Sequence, residues 1–337
     1  MHKNHLQYLV CPDCQQQLAL GGTQTTNAED SQRIETGELH CSQCQAKFPI
    51  VRGVPRFVEL SNYADGFDFQ WNKHALTQHD SHSKSTVSED RFFNETKWGR
   101  DLSGDVMLEV GCGSGRFTAQ AISTNAMVIA TDLSGAVDAN YRIHKDAENL
   151  LIVQSDVYRM PFRKSSFDKV FCLGVLQHTP NVEKTFRTLP EFLKTDGKLA
   201  TDVYDKRSGV LGLVEIFYRT YFWLRPITRR MSPQRLYPLV AGYIKFMWPL
   251  AKLINKIPVI GSKINRMLLI VDYRGRYDLS EEMLQEWSIL DTFDMLSPAY
   301  DQRQTIQTFR RWFETSPLKD VEVHYGYNGI EGRATKA

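Results

Sequence analysis

Between residues 105 and 205, short apolar runs of strand length alternate with helical stretches. The runs are Val106–Val110, Met127–Ala130, Leu150–Val153, Lys169–Leu173 and Lys198–Tyr204. They are continuous rather than alternating in and out, which predicts strands covered on both faces by helices and therefore paired in parallel. Regular structure returns in the tail. A helix is expected over Gln304–Phe313, a strand over Val321–Tyr327 and a last strand from Gly329.

The flanks read differently. Residues 1–60 hold two tight cysteine pairs and close on Phe48–Phe57, a β-like segment broken by prolines. Residues 61–104 are polar, with aromatic anchors such as Phe67, Trp71, Phe92 and Trp98, and predict a connecting region of one or two helices. Residues 206–276 are basic and aromatic, with 14 Lys and Arg against Glu215 and Asp272 in a chain whose net charge is only +2. That asymmetry points to an anionic partner. Hydrophobic residues at 42% and charged ones at 24% are ordinary for a globular protein. No uncharged apolar stretch of about 18 residues occurs, and the first residues lack an apolar signal core, so the expectation is a cytoplasmic protein.

The chemistry concentrates after the first apolar run. Leu108–Phe117 takes a buried strand into a turn with glycines at 111, 113 and 115, and then into a helix. Such a turn lets a ligand approach the main chain. A dinucleotide site wants its third glycine at the position held here by Arg116. Asp132 ends the next run, where a carboxylate can accept both hydroxyls of a ribose. Asp156 follows the third run, at a position suited to an adenine contact. Together with Ser166–Val170 and Gly174–His178, these segments resemble the class I S-adenosylmethionine-dependent methyltransferases over about 100 residues. The resemblance implies an α/β, Rossmann-like, seven-stranded, mostly parallel sheet with its last strand antiparallel, forming a methyltransferase domain over 105–337. It also implies that Glu109, Gly111, Gly113 and Gly115 hold the methionine end of S-adenosylmethionine and Asp132 with Leu133 the ribose. Asp156 and Val157 would hold the adenine, and Leu173 and Gly174 would lie near the methyl donor. His178 follows the fourth strand and suits a general base for a hydroxyl acceptor; lining the pocket or capping the next helix are the other roles open to it.

Cys11/Cys14 and Cys41/Cys44 are two knuckles separated by 26 residues. Four thiolates at this spacing suit a closed, structural Zn²⁺ site, with iron as the competing metal. The segment from Leu9 to Phe57 resembles the small zinc-ribbon domain that activates some methyltransferases and is fused to others. For 206–276 three readings stand: a helical lid over the acceptor, a peripheral contact with anionic membrane or a lipid-linked acceptor, and, less favoured, a nucleic-acid surface. The expected activity is methyl transfer, on oxygen, to a small-molecule, saccharide or lipid-linked precursor. The alternatives are an RNA methyltransferase that grips its substrate through the ribbon, and a cofactor-binding scaffold without turnover.

Overall fold

The computed structural model of the chain describes residues 1–22, 24–28, 30–58, 64–206 and 220–337. The first part of the 206–276 insert, including Val214–Arg219, lies outside them, as do residues 59–63 at the start of the connecting region.

The N-terminal region is an antiparallel sheet of β1 (Leu18–Leu20), β2 (Thr25–Thr26), β3 (Ile34–Cys41), β4 (Lys47–Val51) and β5 (Val54–Pro55). Three helices follow where one or two were expected: α1 (Asp65–Lys73), α2 (Asp80–Ser83) and α3 (Val87–Thr96). The central region then runs β6 (Val106–Val110), α4 (Thr118–Ile122), β7 (Met127–Asp132), α5 (Val137–His144), β8 (Leu150–Gln154), β9 (Phe167–Cys172), α6 (Val182–Thr188) and β10 (Leu193–Val203). The described part of the insert holds α7 (Tyr221–Thr228), α8 (Pro233–Asn255) and α9 (Gly261–Met267). The chain closes with α10 (Glu281–Leu296), α11 (Ile306–Glu314), β11 (Leu318–Gly326) and β12 (Gly329–Lys336).

Seven strands form one sheet in the order β11-β12-β10-β9-β6-β7-β8. Pairing from β10 through β8 is parallel, and β12 runs antiparallel to both β10 and β11. The period-two side-chain rule explains why the strands read as unbroken apolar runs. Leu108, Val110, Ile129, Leu151, Val153, Val170 and Leu199 bury into one core. Their neighbours Met107, Val128, Ala130, Leu150, Ile152, Phe171 and Ala200 bury into the other, against Phe92, Trp98 and Phe117. Every second residue is thus buried on each side.

The cysteine-bearing region is welded to this sheet. Leu9, Leu18, Ile34, Leu39 and Phe48 belong to the same buried cluster as Leu151, Met160 and Phe162. Arg56 pairs in parallel with Gln154 at the end of edge strand β8, and the Phe57 amide donates to the Gln154 carbonyl at 2.8 Å. Arg56 also reaches Asp138 at 2.6 Å from a nearly inaccessible position.

The insert has a core of its own. Leu236, Val240, Ile244, Trp248 and Ala251 of α8 pack with Leu284, Trp287 and Phe293 of α10. The sequence suggested amphipathic helices with prolines between them, but Pro238 and Pro249 lie inside α8. Both are on its exposed side, away from the packed stripe. No helix of the described residues is long and apolar enough to cross a membrane.

Candidate active site

The reversal of strand order between β6 and β9 leaves a crevice at the carboxyl ends of the parallel strands, the usual ligand position in open α/β sheets. Here it is a cavity of about 520 Å³, within the range of small-molecule sites. One wall is the glycine turn after β6. Further lining comes from the insert, α10 and the segment that joins them, through Arg266, Tyr273, Tyr277, Trp287, Asp291 and Asp294.

The turn is fixed by packing as well as by any ligand. Gly111, Gly113 and Gly115 all have positive φ, at 81°, 51° and 95°. A Cβ at Gly111 would collide with the Val175 side chain, and one at Gly115 with Asn140 and His144. Gly113 instead faces the Trp71 indole. Asp132 is tied to this turn: its Oδ2 accepts from the Gly113 amide at 2.9 Å, and its Oδ1 accepts from the Ser134 amide at 2.8 Å and hydroxyl at 2.7 Å. Burial pushes its carboxyl above the usual range even though these bonds favour the ionised form. A carboxylate prepared in this way gains from a ligand that donates hydroxyls to it.

Of the residues singled out in the sequence, Gly111, Gly113, Asp132, Leu133, Val157, Leu173, Gly174 and His178 line the cavity. Glu109, Gly115 and Asp156 are not part of its wall. Asp156 turns back to accept from the Tyr158 amide at 2.9 Å, which caps the short turn Val157–Arg159 and so positions Val157. Glu109 is buried behind the turn and accepts from the Thr118 hydroxyl at 2.5 Å. Desolvation raises its carboxyl to about 8, offset by Thr118 and reinforced by Asp132.

That shift has a sign. The folded chain keeps the Glu109 proton up to about pH 8, while the unfolded chain releases it near 4.5, so the contribution to stability is present at low pH and falls as pH rises through that window. Glu109→Gln should remove this component. Denaturation midpoints at pH 5, 6.5 and 8 should show the variant gaining on the wild type as pH rises, and a constant difference would contradict the assignment.

His178 sits inside the cavity, edge-on to Phe67 (centroids 5.1 Å) and Tyr204 (5.5 Å). Its Nδ1 lies 3.0 Å from the Tyr300 carbonyl. A neutral ring donates there and so carries its lone pair on Nε2. Asp294 is close enough to feel the His178 charge, and burial raises the Asp294 carboxyl. Asp291, one helical turn away, is raised to about 6 by burial and accepts from the Tyr273 hydroxyl.

Residues the sequence did not single out complete the site. Arg91 donates to Asp202 at 2.6 Å and to Glu95 at 2.5 Å, and the other Asp202 oxygen accepts from the Gly174 amide. This buried network fixes the loop after β9. Arg116, next to the third glycine, donates to Ser88 and Gln78 at 2.9 Å each, and burial lowers its guanidinium to about 10. One signal was visible: Asp202 is an acid flanked by Leu199, Ala200 and Val203 in the run read as a strand.

The four knuckle sulfurs lie within 4.8 Å of one another. Cys11–Cys44, Cys14–Cys41 and Cys14–Cys44 are separated by 3.5, 3.3 and 3.7 Å, against about 3.8 Å for a tetrahedron of 2.3 Å Zn–S bonds. The two knuckles have the same turn. Gln15 and Gln45 take positive φ and donate their amides to the Cys11 and Cys41 carbonyls. The donor set and its spacing fit zinc.

Comparison with known proteins agrees in two segments. Residues 108–201 match the family model of a methyltransferase domain, and residues 2–53 that of Trm112p-like proteins. A ubiquinone biosynthesis O-methyltransferase of Xanthomonas oryzae is 29% identical over 119 residues, which cover 34% of this chain and 50% of that protein. A sterol 24-C-methyltransferase of Saccharomyces cerevisiae is 28% identical over 116 residues, covering 31% of this chain and 30% of that one. The chain thus spans half or less of the length of these curated relatives. Among solved structures, a proposed S-adenosyl-L-methionine-dependent methyltransferase of Methanococcus maripaludis has 15% identity and a TM-score of 0.44, covering 83% of this chain and 96% of that one. A chain of the complex between the Haloferax volcanii Trm112 methyltransferase activator and its proposed methyltransferase has 13% identity and a TM-score of 0.40, covering 80% and 97%.

Proposed function

From a chain that joins a class I methyltransferase domain to a Trm112p-like, zinc-ribbon-type region, we propose an S-adenosylmethionine-dependent O-methyltransferase acting on a small-molecule, saccharide or lipid-linked hydroxyl. The observation that carries this reading is that Asp132 and His178 share one cavity. The cavity therefore has both a carboxylate suited to a ribose and a base whose Nε2 carries the lone pair.

In this reading the turn at Gly111 and Gly113 takes the methionine end, backed by Glu109 and Gly115. Asp132 and Leu133 take the ribose, and Val157 takes the adenine, on the turn that Asp156 caps. Leu173 and Gly174, the latter held by Asp202, border the reacting centre. When bound, the cofactor would supply an electrophilic methyl group that an aligned nucleophile takes in line, with the sulfur leaving as a neutral thioether. The protein's own work is alignment, exclusion of water and removal of the acceptor's proton. His178 Nε2 accepts that proton. The imidazolium formed keeps its Nδ1 bond to the Tyr300 carbonyl and is stabilised by Asp294. Tyr204, Tyr277 and Trp287 supply apolar walls for the acceptor, and the relatives named above, of ubiquinone biosynthesis and of sterol methylation, support a small-molecule or lipid acceptor.

The test is transfer of labelled methyl from the cofactor into small-molecule, lipid, saccharide, RNA and protein fractions of a cell extract. Label is expected in the small-molecule, lipid or saccharide pool. Label confined to a ribonuclease-sensitive pool would favour the RNA reading, and none in any pool the scaffold reading. His178→Asn should lower kcat by about 10²–10⁴-fold while S-adenosylhomocysteine binds as before. Unchanged turnover would remove the base role.

A further inference from the structure

We propose that the insert seats the protein on an anionic phospholipid surface through the outer face of α8 and the turn that follows it. Helix α8 is apolar on two opposite sides. Its inner stripe, Leu236–Val240–Ile244–Trp248, is buried against α10. Its outer stripe is not covered: Leu239 is 60% exposed, Phe246 82% and Leu253 63%. These three recur every seven residues and so lie along one line of the helix. The turn beyond α8 continues the pattern at Val259, which is 83% exposed.

Charge narrows what covers this face. From Thr220 to Val271 the chain carries nine Lys and Arg and no acid. Lys245, Lys252 and Lys256 follow at spacings of seven and four, which places them on one flank of the outer stripe, and all three are exposed. Glu281, at the start of α10, pairs with Lys252 at 3.1 Å. A second copy of this face would bring cations against cations. A nucleic-acid backbone would answer the charge but leave Phe246 and Val259 without a partner. An anionic bilayer answers both, with lipid phosphates for the lysines and acyl chains for the outer stripe, and a helix with this distribution lies along the interface. Arg266 of α9, which folds back on α8 through the Asn265 bond to the Ala251 carbonyl, lines the cavity. The docked hairpin is therefore also a wall of the site.

The experiment is sedimentation of the purified full chain with sucrose-loaded vesicles, either phosphatidylcholine alone or with 30 mol% phosphatidylglycerol. Binding is expected only with phosphatidylglycerol, and should drop roughly tenfold or more between low and high salt. Lys245→Glu with Lys256→Glu should weaken partitioning by roughly tenfold or more. Phe246→Glu with Leu253→Glu should abolish it, with wild-type melting and S-adenosylhomocysteine binding in both variants. No pelleting, equal pelleting of the Phe246→Glu, Leu253→Glu variant, or a wild-type dimer that Phe246→Glu dissociates would each overturn the proposal. Methyl transfer is scored separately, so docking stands or falls without the transferase reading.

Discussion

Asp132→Ala should weaken S-adenosylhomocysteine binding by about 100-fold or more, measured by titration calorimetry. A carboxylate that accepts two ribose hydroxyls makes two charge-assisted hydrogen bonds, each contributing about 1.5–3 kcal/mol. The side chain also acts through the backbone. Its Oδ2 holds the Gly113 amide and its Oδ1 holds Ser134, so its loss frees the turn that must stay open for the ligand. Asp132→Asn separates the two effects. It keeps the shape, but its amide group points a donor at donors, so affinity should fall nearly as far with a smaller loss of melting temperature. A dissociation constant within threefold of wild type in both variants would refute the ribose role. Wild-type protein that took up NAD and not S-adenosylhomocysteine would refute the site as a whole.

Asp132 was legible in the sequence because its position follows from local rules: a strand that ends, a turn, and a carboxylate at a fixed step in a βαβ unit. The same holds for β6, β7 and β8, whose continuous apolar runs already imply burial on both faces. What was not legible depends on partners far away in the chain. Arg91 becomes part of the site only because β10 brings Asp202 beside it, 111 residues on. Asp156 reads as a ligand by position; the sequence pattern does not show that its Oδ1 also accepts from the Tyr158 amide and so caps the turn that carries Val157. Pro238 and Pro249 read as breaks because a proline in a helix interior costs one hydrogen bond. The sequence pattern does not show that a packed inner stripe on both sides of them outweighs that loss. The knuckle region read as a unit of its own, since its cysteines form a closed motif. Its buried residues nonetheless belong to the main core, as Leu9 and Leu39 cluster with Leu151 and Phe162.

That shared core makes zinc removal a test of the whole molecule. Stripping the metal with a strong chelator, or Cys11→Ser with Cys41→Ser, should lower the melting temperature of the entire chain by about 10 °C or more, because structural zinc contributes folding free energy directly. Without the ion, four thiols crowd within 4.8 Å of one another and the two knuckle turns lose their common anchor. Beneath them lie Leu9, Leu18, Leu39 and Ile50, which pack into the face of the sheet that carries Leu151 and Val153. Opening the knuckles also loosens the Arg56 bridge to Gln154 and Asp138 at the edge of β8, on the strand that leads to Val157. Cofactor affinity should therefore fall along with stability, although no cysteine of the knuckles lines the cavity. Calorimetry before and after chelation, with zinc added back, measures both. Recovery of melting and binding is expected for the stripped wild type and not for the serine variant. A chelated protein that melted as before and bound cofactor as before would show that the four sulfurs hold no structural ion.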